Sequence, residues 1–80
     1  MTIGEAVSKR INELLFSKGW SLYKLSKESC IPLSTLKNLY VGHTKCPTLS
    51  IIFKISDALG ITVTDFLTSP LFNGDNLELD

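Results

Sequence analysis

Residues 20–49 read WSLYKLSKESCIPLSTLKNLYVGHTKCPTL, and this stretch decides the fold. Ser21 is a favourable N-cap, so a short helix is predicted at about 22–29. Pro32 interrupts that helix and suits the first turn of the next one, because its missing N–H would have no intrahelical partner there. The next helix is predicted to begin at Pro32 or directly after it and to end at Val41. The centre of the chain is therefore predicted to hold two short helices joined by a tight turn.

The flanking sequence predicts three more helices. Apolar residues recur at helical spacing over residues 3–18, and Gly19 is a typical helix end. Thr48 is predicted to cap a fourth helix that Gly60 closes, and Thr62 begins a capping box for a fifth. No segment alternates apolar and polar residues as a strand would. The expected fold is all-α, with five helices and short connections.

The core is predicted from the same helical spacing. The large apolar residues expected to face inward are Ile3, Val7, Ile11, Leu14, Leu15, Leu25, Leu36, Leu39, Tyr40, Leu49, Ile52, Phe53, Ile55, Leu59, Val63, Phe66 and Leu67. The chain has 80 residues, of which 44% are hydrophobic and 20% charged. This composition is typical of one globular domain.

Several classes of protein are disfavoured by the sequence. The longest apolar runs are too short to span a bilayer, and residues 1–10 lack the pattern of a secretion signal, so we expect a cytoplasmic protein without a membrane partner. Cys30 and Cys46 do not make a disulfide scaffold, and with His43 they lack the paired spacing of a zinc site. We expect no metal and no cofactor. An enzyme is disfavoured too, because the sequence has no glycine-rich phosphate loop and no paired carboxylates.

Charge is distributed unevenly although the chain is neutral overall. Residues 1–54 contain all eight basic residues and three acidic ones, which gives +5, whereas residues 55–80 contain five acidic residues and no basic one. A basic body can present a positive face to an anionic partner despite overall neutrality. We expect a domain at 1–68 and an acidic C-terminal tail at 69–80, with residues 73–76 turn-like and loosely ordered.

These features resemble the DNA-binding domain of the lambda repressor/Cro-like (Xre) family. Ser21 falls on the polar cap of the family's second helix, Ile31 on the apolar residue of its turn, and Gly42 and Pro47 on the loop that follows its third helix. The resemblance covers about residues 3–68. It implies a five-helix lambda-repressor-like domain and a sequence-specific regulator of transcription, commonly a repressor, that binds double-stranded DNA.

Three departures from the family pattern have physical consequences. Cys30 stands where the family usually has glycine, in a turn that tends toward positive φ, at a cost on the order of 1 kcal/mol unless the turn differs. Leu22 stands where many members have a glutamine that contacts DNA backbone, so either one polar contact is lost or Leu22 packs elsewhere. Leu15 and Tyr40 stand where members often have an Arg–Glu pair, and apolar replacement of such a pair is often neutral or stabilising.

The resemblance and the predicted helix faces together give the expected site residues. In the family, the N-terminal outer face of the third helix enters the major groove. The residues expected to contact base edges are Leu33, Ser34, Lys37 and Asn38. The residues expected to contact phosphates lie at the start of helix two, on helix three and in the loop after it: Ser21, Leu22, Thr35, Gly42, His43, Thr44 and Lys45.

Two further questions stay open at the level of the sequence. Family members usually bind as two-fold dimers, and Leu71 and Phe72 are expected either to form the dimer surface or to complete the monomer core. The alternative function is a protein-interaction module on a helix-turn-helix scaffold, such as an antitoxin or the accessory partner of another protein. Zero net charge and the apolar residues Leu22 and Leu33 favour that alternative.

Overall fold

The computed structural model describes residues 1–77, and the part it describes is helical, with no strand. Five α-helices follow one another along the chain: α1 (Ile3–Lys18), α2 (Leu22–Ser29), α3 (Leu33–Tyr40), α4 (Leu49–Leu59) and α5 (Val63–Leu67). Two short 3-10 helices, Pro70–Phe72 and Gly74–Asn76, come after them. The predicted all-α fold is confirmed, and the predicted helix boundaries agree to within one residue. Glu78 and Asp80, which contribute to the predicted acidic tail, lie outside the described residues.

Hydroxyl caps set most of the helix starts. Four residues each accept the backbone N–H three positions on: Thr2, Ser21, Thr48 and Thr62. The predicted capping box of α5 is present, and α1 has a second one in which the Glu5 carboxylate accepts the Thr2 N–H at 3.0 Å. The hydrogen bond from that N–H, together with the Thr2 side chain, holds the pKa of Glu5 below its usual value. Side chains therefore satisfy helix-start amides that would otherwise have no partner.

One apolar core unites the five helices. Its buried members are Val7, Ile11, Leu15, Leu25, Ile31, Leu36, Leu39, Ile52, Ile55, Leu59 and Phe66. In this core α1 packs on α3, α2 packs on both α3 and α4, and α5 closes the far side against α4. Because α3 is held between α1 and α2, one of its faces is fixed inward and the opposite face is left on the surface.

Five residues that periodicity assigns to the core are exposed instead. Tyr40 is 38% exposed, Leu49 69%, Phe53 58% and Leu67 41%, and Ile3 is 38% exposed. The cause is that the stripe of each short helix that meets a neighbour is narrower than its apolar face. On α4 the buried apolar stripe is centred on Ile52, Ile55 and Leu59, and the side chains of Leu49 and Phe53 lie at its flank.

The packed structure continues past residue 68. Pro70–Phe72 lies against α1, and the Phe72 ring stands 6.1 Å from the Phe66 ring, at the edge of the core. The N-terminal amine of Met1 donates to the carbonyl of Asn76 at 2.9 Å. Residues 70–72 and Asn76 therefore contact the rest of the domain, and the domain boundary expected at residue 68 stays a prediction. Across residues 1–77, no helix combines the length and the apolar character needed to cross a membrane.

Candidate nucleic-acid interface

The turn between α2 and α3 fixes the angle between the two helices. Cys30 ends α2 in the left-handed conformation, with φ 60° and ψ 26°, so the positive φ expected at this position is confirmed. Ile31 is buried in the core beneath the turn, and the Ser26 hydroxyl donates to its carbonyl at 2.7 Å. The small side chain of Ser26 lets the helices approach closely, and its hydrogen bond ties α2 to the residue that leads into α3.

The outer face of α3 carries mainly polar side chains between residues 34 and 38. Leu36 and Leu39 are buried, and the side chains on the opposite face point away from the core. Three of the four residues predicted to contact bases are exposed on this face: Ser34, Lys37 and Asn38. Leu33 is half-buried, so only part of its side chain is available to a partner. The structure brings these four residues together, and their contact with DNA stays a prediction.

The residues predicted to contact phosphates divide between two places. At the start of α2, Ser21 is exposed and its hydroxyl already accepts the Lys24 N–H at 3.1 Å. Leu22 is half-buried and packs against the core, so its side chain follows the alternative of packing elsewhere, and only its N–H belongs to the open helix end. On the other side, Thr35 is half-buried on α3, and the loop after α3 exposes His43 and Lys45.

A stripe along α1, which the sequence argument did not single out, meets α3 and the following loop. Gly4 lies so close to the loop that a Cβ there would stand 2.0 Å from the carbonyl oxygen of Thr44. Ser8 is buried, and its hydroxyl donates to the carbonyl of Tyr40 at the end of α3. The Asn12 side chain donates to the carbonyl of Ser8 at 2.8 Å. In the sequence, the signal for this stripe is the recurrence of small or polar residues at every fourth position of an otherwise amphipathic helix.

The basic residues do not all remain free to meet an anion. The Arg10 guanidinium donates to two backbone carbonyls at the end of α5, including that of Phe66 at 2.8 Å, and therefore has a structural role. The ammonium groups of Lys18 and Lys24 lie 5.5 and 4.9 Å from the centre of the Trp20 ring. These cation–π contacts hold two positive charges beside the start of α2.

A groove of about 570 Å³ lies between α1 and the adjacent ends of α2 and α3. Its lining includes Leu15 and Tyr40, the two residues at the positions that the resemblance associates with an ion pair, together with Phe16 and Trp20. The lining is mainly apolar, with Glu13 as its one carboxylate. Within residues 1–77 no three His, Cys, Asp or Glu side chains cluster as metal ligands would.

The arrangement as a whole is shared with known proteins. The crystal structure of the prophage Lp1 protein 11 is similar to this chain, with a TM-score of 0.81 and 32% sequence identity over 91% of this chain and 96% of that one. No curated protein sequence matches the chain significantly. The helix-turn-helix family is matched by residues 9–66, which is more than half of the chain. The chain therefore belongs to the Xre-like DNA-binding helix-turn-helix family.

Proposed function

We propose that this chain binds double-stranded DNA at specific sequences and regulates transcription, most simply as a repressor, with the leading end of α3 in the major groove. The family comprises DNA-binding regulators that are typically not enzymes. The observation that carries the proposal is the polar, exposed face of α3 at Ser34, Lys37 and Asn38, held outward by a buried face of leucines. A helix propped in this way can enter the major groove with its N-terminal residues first.

Base reading in this proposal depends on the side chains that α3 exposes. The Asn38 amide can pair bidentately with adenine, and the Lys37 ammonium can donate to guanine. Ser34 can donate to or accept from several bases, whereas the exposed part of Leu33 suits the methyl group of thymine. Each good bidentate pair is worth about 1–3 kcal/mol of discrimination against the wrong base. Asn38 is therefore proposed as the main determinant of sequence preference.

Phosphate contacts are proposed on both flanks of α3. At the start of α2, the Ser21 side chain and the open backbone N–H groups, including that of Leu22, face one strand, because helix N-termini attract anions. Thr35 and the loop at 42–45 face the other strand, where Gly42 and Thr44 offer backbone groups and His43 and Lys45 offer side chains. The exposed Lys45 ammonium is proposed as the strongest sequence-independent contact of the loop.

We propose that the DNA-binding form is a homodimer whose recognition helices are about 34 Å apart, one turn of DNA. Leu67, Pro70 and Phe72 line a shallow groove of about 380 Å³, and the Leu67 side chain is 41% exposed. Leu71 is half-buried and Phe72 partly completes the monomer core, so any partner would meet their remaining exposed parts. Sedimentation equilibrium, with and without DNA, measures whether the dimer forms.

The test of the proposed function is selection of bound duplexes from a random pool at two salt concentrations. We expect enrichment of related half-sites separated by one helical turn, and affinity that falls as salt rises. Retention of all sequences alike, or of none at low salt, would contradict the proposal. The second outcome would favour the protein-interaction alternative, for which the exposed apolar side chains of Leu49 and Phe53 offer a contact surface.

A further inference from the structure

We infer that one stripe of α1, formed by Gly4, Ser8 and Asn12, positions the end of α3 and the loop at 42–45 for contact with DNA. This inference rests on the proposed function and adds residues that would not themselves contact DNA. The three residues are spaced four apart and so lie on one side of α1. That side faces the end of α3, which carries part of the proposed base contacts, and the loop at 42–45, which carries proposed phosphate contacts.

A hydrogen bond from Ser8 of α1 holds the last residue of α3, and we call this bond the tether. A carbonyl at the C-terminal end of a helix has no N–H donor within its own helix. At Tyr40 this carbonyl accepts the buried Ser8 hydroxyl, and the Asn12 amide approaches the same oxygen at 3.5 Å. The stronger bond of Asn12 is to the carbonyl of Ser8, at 2.8 Å. The end of α3 is thus bound to a 16-residue helix rather than left to solvent.

The loop itself contacts α1. Gly42 has φ 81°, and a Cβ built on it would lie 3.8 Å from the Cβ of Ser8, so the chain turns directly over the tether. Two residues later the Thr44 carbonyl rests on Gly4, where even a methyl group would not fit. The loop backbone therefore touches α1 at both ends of the segment that holds His43.

The loop is also hydrogen-bonded to the part of α3 that is proposed to contact bases. The His43 N–H donates to the carbonyl of Asn38 at 2.9 Å, and the Gly42 N–H donates to the carbonyl of Leu39 at 3.2 Å. The loop is consequently hydrogen-bonded to the turn of α3 that carries the proposed adenine-reading residue. A shift of the loop away from α1 would move the proposed phosphate contacts and strain these two bonds. Precise placement is what lets a few polar contacts be made simultaneously.

The variant that tests the tether is Ser8→Ala, with Ser56→Ala as its matched control. Both serines are buried and both hydroxyls donate to a backbone carbonyl, but the Ser56 bond, of 2.8 Å, is to Ile52 within α4. Any effect of losing a buried hydroxyl in general is therefore common to the two variants. Only Ser8→Ala removes a link between α1 and the end of α3.

The first readout needs no DNA. Amide hydrogen exchange of Gly42 and His43 should be about three- to tenfold faster in Ser8→Ala than in Ser56→Ala, the change in a local opening equilibrium expected for one lost neutral hydrogen bond. Asn12→Ala, which keeps the Ser8 bond, should give a smaller increase at the same amides. Equal exchange in Ser8→Ala and Ser56→Ala would overturn the inference, whatever the protein binds.

The second readout is affinity for a duplex selected by the unmodified protein, measured well below the unfolding temperature. Ser8→Ala should bind about three- to tenfold more weakly, whereas Ser56→Ala should bind as tightly as the unmodified protein. Equal affinity of the two variants would overturn the positioning role and leave the proposed function intact. Failure of the unmodified protein to select any duplex would instead refute the proposed function, and the positioning role for DNA with it.

Discussion

Replacement of Cys30 by glycine should stabilise the protein. Cys30 is the one residue other than glycine with positive φ among residues 1–77, at φ 60° and ψ 26°. In this region the Cβ of an L-residue crowds the following carbonyl oxygen, at a cost of roughly 1–2 kcal/mol, and glycine has no Cβ. The side chain is exposed, so its removal leaves no cavity in the core.

The size of the gain follows from two opposing effects. Relief of the left-handed strain is worth roughly 1–2 kcal/mol, and the greater freedom of glycine in the unfolded chain offsets about 0.5–1 kcal/mol of it. We expect a net gain of about 1 kcal/mol in the free energy of unfolding. For a domain of this size that corresponds to a rise in Tm of about 4–8 °C.

The assay is thermal unfolding followed by circular dichroism under reducing conditions, which removes any contribution from thiol oxidation. Cys30→Ala is the matched control, because it removes the thiol but keeps the Cβ, and its Tm should change little. A Tm for Cys30→Gly at or below that of the unmodified protein would refute the strain argument. An equal rise in Cys30→Ala would show that the thiol, and not the backbone conformation, limits stability.

Four further predictions concern the interface and the fold. Asn38→Ala should relax base preference at one position of the selected site, with a loss of about 1–3 kcal/mol of discrimination, and an unchanged selection profile would exclude Asn38 from base reading. Lys45→Ala should weaken binding to all duplexes alike and reduce the slope of log affinity against log salt by about 1, so an unchanged slope would place Lys45 away from phosphate. Gly4→Ala should destabilise the fold in denaturant titrations, because overpacking against a backbone carbonyl costs about 1–3 kcal/mol and outweighs a helix-propensity gain of about 1 kcal/mol. The pKa of the Glu5 carboxylate is lowered in the folded protein, so its contribution to stability is present above its ordinary pKa of 4.5 and is lost as pH falls through the lower value. Glu5→Gln should therefore make the denaturation midpoint less dependent on pH in the acid range. An unchanged pH dependence would contradict this.

Local chemistry explains why the helix boundaries could be predicted from the sequence. A hydroxyl at Ser21, Thr48 or Thr62 satisfies a backbone amide only a few residues away, so the signal and its effect lie in the same short window. The positive φ of Cys30 is local in the same sense, because it depends on the turn that this residue itself makes. The family resemblance added the order and spacing of these signals, from which the fold and the face of α3 followed.

Contacts between distant residues explain what the sequence did not reveal. Ser8 and Tyr40 are 32 positions apart in the sequence. Every residue has a backbone carbonyl, so the residue type at position 40 does not indicate which side chain donates to it. Likewise, periodicity shows that Leu49 and Phe53 lie near the apolar face of α4 but not how much of that face a neighbour covers. Both features depend on how whole helices pack, which the local pattern does not encode.

A contact between distant residues also removes one positive charge from those available to DNA. Arg10 is the only arginine of the chain, and the sequence counts it as part of a basic body that would face DNA. In the structure its side chain is only 18% exposed and its guanidinium is committed to carbonyls at the end of α5. Arg10 is therefore not positioned to read guanine, and Lys37 is left as the proposed guanine contact. The proposed base reading then depends chiefly on Asn38, and the selected sites should be defined most sharply by an A·T pair.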